Sequence, residues 1–178
     1  QHAILGFISW RPLSGYDLKK CFSDSTSLYW SGNNNQIYTT LIQLHKAGMV
    51  QLDIQVQESL PARKVYTITE LGINELRSWI LSTPELPELK NTFLVQLSWA
   101  DMLDPSDLDS LLGRYIEELE LHLRMHLEKV RRSALAPRRT PREIFLWNEI
   151  NRNISLVWET ELGWARELRT KLKEGYPQ

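Results

Sequence analysis

A mainly α chain with one small β-hairpin is predicted, and three observations predict it. Three short apolar-periodic stretches, each bounded by capping or turn residues, fill the first 48 residues. At Gly48 the apolar period falls from about 3.6 residues to about 2 and stays there for one hairpin. In the second half, two long stripes with the helical period take up most of the remaining chain.

The opening stretch, His2 to Trp10, is apolar on most sides, as in a short helix buried in a core or against a second subunit. Arg11-Pro12-Leu13 ends it. Ser14-Gly15-Tyr16-Asp17 has the form of a helix start, with Ser14 as cap and an acid three residues on. The helix over 14–24 turns Leu18 and either Cys21 or Phe22 inward and leaves Lys19 and Lys20 near the surface. A serine-rich break follows, then Trp30-Ser31-Gly32. Asn33 to Gly48 is the third helix, with Asn33 placed to cap it and Gln36 placed to reach back. Ile37, Leu41 and Leu44 share one face. At about 100° per residue the other side carries Asn35, Gln36, Thr39, Gln43 and Lys46. Gly48 supplies the left-handed stop. Taken alone this is a solvated surface helix, yet a short helix showing Asn, Gln, Thr and Lys outward also suits the DNA major groove.

Met49 to Gln57 alternates, placing Val50, Leu52, Ile54 and Val56 on one face of a half-buried strand. A turn over Glu58 to Ala62 contains Pro61, and Arg63 to Ile68 returns as the second strand. Thr69 caps a further helix through Leu71, Leu76, Trp79 and Ile80. Three helices, a two-stranded ribbon and another helix make a winged helix-turn-helix over residues 1–82, with Arg63 and Lys64 near the tip of the ribbon.

Leu81 to Glu88 holds two prolines and reads as a semi-rigid linker, set at 83–90. Residues 91–178 form a helical dimerisation domain. Phe93, Leu94, Leu97 and Trp99 mark a short helix. Asp104-Pro105-Ser106-Asp107 opens one of about 28 residues along Leu108, Leu112, Tyr115, Leu119, Leu123, Leu127 and Val130. Ala136 to Pro141 is a turn. The last helix, about Arg142 to Glu174, carries Trp147, Ile150, Ile154, Val157 or Trp158, Leu162, Ala165, Leu168 and Leu172. Two antiparallel helices cannot cover stripes this long by themselves, so a two-fold dimer is expected. Such a dimer sets two recognition helices about one DNA turn, ~34 Å, apart.

The composition narrows the function. Of the 178 residues, 21 are basic and 22 acidic, giving a formal net charge of −1. Residues 1–90 hold eight basic and eight acidic side chains, and 91–178 hold thirteen and fourteen. The even balance argues against a strong nonspecific nucleic-acid binder and is compatible with a local basic patch on a dimer. The single cysteine, Cys21, cannot make an internal disulfide, which fits a cytoplasmic protein. No apolar run is long enough for a membrane span or signal segment. The first residue is Gln1 rather than methionine, as in a trimmed chain. No phosphate-cradling glycine loop, nucleophile elbow or paired carboxylates stand out, so an enzyme is not expected and no cofactor is called for.

With these elements in place, the chain resembles the PadR family of bacterial transcriptional regulators. The resemblance rests on Ile4-Leu5-Gly6, on Pro12 to Leu18, and on Trp30 followed eight residues later by Tyr38. It continues through Leu41, Leu44, Gly48-Met49-Val50 and Pro61 to Thr69, covering about residues 3 to 82. It implies a DNA-binding regulator, more often a repressor, that dimerises through its C-terminal helices. It also implies that Tyr38 and the polar face around it meet double-stranded DNA while Arg63 and Lys64 contact its backbone. Relatives carry basic residues where Ile42 and Gln43 stand here, which predicts fewer phosphate contacts and a shallow salt dependence. The three asparagines replace a proline and glycine common at the helix start, and Asn35 brings adenine-reading capacity.

The candidate DNA-contacting residues are therefore Asn35, Gln36, Tyr38, Thr39, Gln43, Lys46, Arg63 and Lys64. Trp10, Trp99 and Trp147, with Trp158 and Trp164, are candidates for stacking a small aromatic effector of the kind some relatives sense, although core and dimer packing is the stronger reading. His122 and His126 have a metal-compatible spacing with no accompanying ligands and read as surface histidines. Cys21 reads as a small core residue, and Arg138 to Arg142 as a solvated turn. The rival classes are a winged-helix protein-interaction module and an effector-binding multidrug sensor.

Overall fold

The computed structural model describes residues 1–25, 34–56, 62–87, 90–132 and 139–175. It divides into two compact units, Gln1–Glu85 and a second that begins at Leu86 and contains the long helices. The Asn33 cap, Trp30, the hairpin turn at Pro61 and Arg138 lie outside the described residues.

In the first unit α1 (His2–Trp10) is followed by β1 (Leu13–Ser14), α2 (Gly15–Asp24), α3 (Asn34–Lys46), β2 (Val50–Gln55), β3 (Arg63–Ile68) and α4 (Glu70–Ile80). The start of α2 is a capping box. The Ser14 hydroxyl accepts from the Asp17 amide and the Asp17 carboxylate accepts from the Ser14 amide, satisfying two donors that have no intrahelical partner. The end of α3 is equally local. Gly48 has φ +71°, so its N–H reaches the His45 carbonyl at 3.0 Å and the Met49 N–H reaches the Leu44 carbonyl at 2.9 Å. This left-handed stop delivers the chain into β2. There Thr69, the cap of α4, donates its hydroxyl to the Gly48 carbonyl at 2.8 Å and its amide to the Met49 carbonyl at 3.0 Å. The end of the third helix, the root of the hairpin and the start of α4 are thus one hydrogen-bonded junction.

Two features of the hairpin differ from expectation. Leu13 and Ser14 do not simply follow a helix end: they pair antiparallel with Tyr66 and Val65, giving a three-stranded sheet in the order β1-β3-β2. The buried face of β2 also fades along its length. Val50 is buried and Leu52 half-buried, but Ile54 and Val56 are exposed, because the ribbon runs past the helices that would cover it. That projection is what makes it a wing. On α4, Leu76 packs against the core, whereas Leu71, Trp79 and Ile80 are exposed. The core itself joins all three short helices to the sheet: Ile4, Leu5, Phe7 and Ile8 of α1 meet Leu18 and Phe22 of α2, Ile37, Leu41 and Leu44 of α3, and Val50 and Tyr66 of the strands. Phe7 stands edge-on to both Trp10 and Phe22, at 5.0 and 4.9 Å between ring centres.

The second unit contains α5 (Thr92–Ser98), a 3-10 turn (Ala100–Met102), α6 (Pro105–Arg132) and α7 (Pro141–Glu174). Thr140, in the stretch read as a turn, caps α7 by accepting from the Glu143 amide, and Pro141 takes the first position. The two long helices pack antiparallel. Arg169 grips Asp109 with two bonds of 2.7 and 2.8 Å, Arg166 reaches Glu120 at 2.6 Å, and His126 contacts the Asn151 carbonyl at 3.3 Å. Between these contacts lies a small core of Ile116, Leu119, Leu162 and Ala165. His126 is buried there rather than at the surface, because α7 lies over it and supplies a backbone acceptor; His122 stays exposed and stacks on Trp158.

Candidate nucleic-acid interface

The face of α3 opposite Ile37, Leu41 and Leu44 is open. Asn35, Gln36, Thr39, Gln43 and Lys46 are all exposed on it, as the helical period requires once the core-facing stripe is fixed. Ile42 stands among them, 51% exposed. An apolar side chain in this position contributes no phosphate contact, while the flanking amides and hydroxyl offer both donors and acceptors to base edges.

Tyr38, on the flank toward α2, is placed differently. Its ring lies directly on the backbone of Gly15: a Cβ built there would sit 2.4 Å from the Tyr38 Cε1. A side chain at this position would displace the ring, which lies against α2 on one side and is half-exposed on the other. The neighbouring Tyr66 phenol is pushed up by burial and then by Tyr38.

On the wing, Arg63 and Lys64 are both exposed, paired across the ribbon with Gln55 and Ile54. They are not equivalent. The Arg63 guanidinium lies 2.6 Å from the Asp17 carboxylate, an ion pair between the wing and the first turn of α2. Asp17 gathers two further bonds from Ser14, at 2.8 Å from the amide and 2.7 Å from the hydroxyl. Burial alone would raise its pKa, but the Ser14 bonds and the Arg63 cation together hold it below the ordinary aspartate value. Lys64 and Lys46 have no ion-pair partner among the described residues. Sequence reasoning missed both Gly15 and Asp17 as parts of this surface; the only signal it had was the capping-box spacing of Ser14 and Asp17.

The three tryptophans singled out from the sequence do not share a setting. Trp10 packs edge-on to Phe7 beside the first core. Trp147 is half-buried on α7. Trp99 is 71% exposed and borders an open recess of about 430 Å³ in the second unit, with Gln96, Leu103, Asp107, Ser110 and Arg114 around it. Cys21 is buried and its thiol is pushed up by that burial, the setting of an inert core residue rather than of a reactive thiolate. Among the described residues no group of three or more His, Cys, Asp or Glu side chains is placed to hold a metal ion, and no helix is long and apolar enough to cross a membrane.

A three-helix core, a three-stranded sheet with a projecting ribbon, and a long-helix unit define a winged helix-turn-helix fold with a helical second unit. Residues 4–78 match the model of the transcriptional regulator PadR-like family, so this part of the chain is similar to members of that family. It is 27% identical over 124 residues to the negative transcriptional regulator PadR of Bacillus subtilis, covering 69% of this chain and 68% of that one. It is 35% identical over 79 residues to a probable transcriptional regulator of Mycobacterium tuberculosis, covering 44% of this chain and 42% of that one. Among solved structures, Bacillus subtilis PadR in complex with operator DNA superimposes with a TM-score of 0.83 over 96% of this chain and 97% of that chain, at 23% identity. The Vibrio cholerae virulence activator AphA superimposes with a TM-score of 0.71 over 98% of both, at 24% identity. The chain therefore shares the fold of these structures over nearly its whole length, the helical C-terminal half included.

Proposed function

We propose that the chain is a homodimeric, sequence-specific binder of double-stranded DNA that acts as a transcriptional repressor in the cytoplasm. The observation that carries this reading is the exposed polar face of α3, where Asn35, Gln36, Thr39, Gln43 and Lys46 stand beside a projecting wing. In this reading residues 1–82 bind DNA, 83–90 link, and 91–178 dimerise. Gln36, Thr39, Gln43 and Asn35 read base edges in the major groove, and Tyr38, Lys46, Arg63 and Lys64 lie along the backbone. With Ile42 and Gln43 on the helix, specificity comes more from polar base contacts than from electrostatic attraction. The named function of the Bacillus subtilis relative, a negative regulator, supports repression.

The test is binding to the intergenic DNA upstream of the chain's own gene at two salt concentrations. Lys64→Ala weakens binding on all sequences and reduces the salt slope by about one, whereas Gln36→Ala relaxes preference at one position. Binding by an Arg63→Ala, Lys64→Ala double variant indistinguishable from wild type would sink the reading and favour a protein-interaction module.

A small aromatic effector is the second part of the proposal. The recess beside Trp99 supports it, being of ligand size with an indole face, a cation at Arg114 and hydrogen-bonding groups at Gln96 and Ser110. A related fold, Bacillus subtilis PadR, has been crystallised with p-coumaric acid. The effector acts by shifting the dimer between states with different separations of the winged domains. Saturable quenching of tryptophan fluorescence by planar aromatics, lost in Trp99→Ala, is expected; quenching unchanged by that substitution removes Trp99 from the site.

A further inference from the structure

We propose that Asp17 is a positioning residue for DNA recognition, latching Arg63 so that the wing and the helix-turn-helix meet DNA as one surface. This rests on the DNA-binding reading above. The first turn of α2 touches both DNA-facing elements. At Gly15 the α2 backbone receives the ring of Tyr38 from α3. Two residues on, Asp17 receives the guanidinium of Arg63 from β3, 46 positions away in sequence. The intervening geometry is fixed by the sheet: Ser14, whose amide and hydroxyl also bind the Asp17 carboxylate, is paired across β1-β3 with Val65. The same carboxylate oxygen therefore accepts from the cap of α2 and from the tip end of the wing. Moving the wing breaks a bond to the helix that orients α3.

The latch changes what Arg63 does. A guanidinium has five N–H donors in a fixed fork, and one bonded to Asp17 leaves others directed outward toward a phosphate. Its charge, however, is cancelled by a carboxylate 2.6 Å away. A phosphate bonded to an already neutralised cation releases little condensed counterion, because the local field that releases it is absent. Arg63 thus supplies direction without salt dependence, and Lys64, one residue further along the strand, supplies the charge. Two adjacent basic residues on the same wing have divided the work of orientation and attraction between them.

The full chain is assayed on the upstream duplex and on random-sequence duplex at several salt concentrations. Arg63→Gln, which leaves the α2 cap untouched, lowers the ratio of specific to random binding about tenfold and, by leaving the Asp17 carboxylate unpaired, flattens the salt slope by up to about one; adding Asp17→Asn to it returns the slope to that of wild type. Lys64→Gln lowers the slope by about one with the ratio little altered. Asp17→Asn frees the Arg63 charge, so the slope steepens by about one as the ratio falls, and Asp17→Glu, which retains both charge and capping geometry, restores both. A slope about one below wild type in the combined Asp17→Asn, Arg63→Gln variant, or additive losses of the ratio when the two are combined, overturns the latch. A wild type that fails to discriminate the two duplexes overturns the DNA reading and the latch with it.

Discussion

The two units of this chain are of similar length and are built by opposite solutions to burial. In the first, among the described residues, thirteen buried side chains form one cluster enclosed by four helices and a sheet. In the second, among the described residues, the long-helix cluster has four buried side chains, with Phe93, Ala100, Leu112 and His126 buried apart from it, a sparser core for helices of 28 and 34 residues. Phe145, Leu146, Ile150, Leu156 and Val157 are exposed along α7, and Leu121, Met125 and Leu127 along α6. Apolar surface on this scale marks an interaction face. The contrast supports the proposal that the first unit is stabilised mainly from within and that the second dimerises.

The largest effect that would break this comparison comes from the cores. Leu41→Ala removes a fully buried side chain from the first cluster and should cost about 2–5 kcal/mol, the same at every protein concentration. Leu162→Ala in the second cluster should lower a midpoint that itself rises with protein concentration, as the proposed dimerisation of that unit requires. Urea unfolding at two concentrations a hundredfold apart measures both; concentration-independent midpoints for Leu162→Ala contradict the contrast. Next in size is Gly15→Ala. The new methyl meets the Tyr38 ring at 2.4 Å, and the overpacking should cost about 1–3 kcal/mol. The ring moves before the backbone does, so DNA affinity falls along with stability. Unchanged affinity and stability would show that Tyr38 is free to swing away.

A third substitution probes the outside of the second unit. Val157→Asp places a charge on an exposed α7 position, which leaves the isolated unit intact but opposes burial against a second copy. The dimer dissociation constant should rise at least about tenfold, near 1.4 kcal/mol, as read by sedimentation equilibrium. A dimer of unaltered affinity removes this face of α7 from the interface.

How much of this was legible in the sequence follows the range of the interactions. The capping box of Ser14 and Asp17, the Thr69 cap and the Gly48 stop each span a few residues, and each was readable from spacing alone. The outward face of α3 was equally readable, since the period that buries Ile37, Leu41 and Leu44 also exposes Gln36, Thr39 and Gln43. The strand at Leu13–Ser14 was not, because two residues carry no period and their partners lie some fifty positions away. Alternation in β2 showed which residues share a face but not that the covering layer ends before Ile54. The same limit hid the site's organisation: Asp17 meets Arg63 and Gly15 meets Tyr38 only once the chain has folded. His126 was misread for that reason too, since its burial is created by α7.

The smallest expected effect concerns how α5 is held to the helical pair, and it reads out in pH. Asn91, the cap of α5, donates to the Glu161 carboxylate at 2.9 Å, and the Tyr115 hydroxyl donates to the same oxygen at 2.6 Å. Phe93 lies flat on the Tyr115 ring, 3.6 Å between centres. Burial, then the bond and charge of Glu161, push the Tyr115 phenol up to about 12, with Asn91 opposing. The folded protein thus holds this proton more tightly than the unfolded chain, whose tyrosine titrates near 10. The contribution is whole below that value and is lost as pH climbs from about 10 toward 12. Tyr115→Phe keeps the ring stacking and removes the titration. Its unfolding midpoint should therefore lie below that of wild type at pH 8, where wild type retains the bond to Glu161, and the gap should narrow as pH rises above 10. Parallel midpoints across that range would mean that the hydroxyl is solvated and that α5 is held by Phe93 and Asn91 alone.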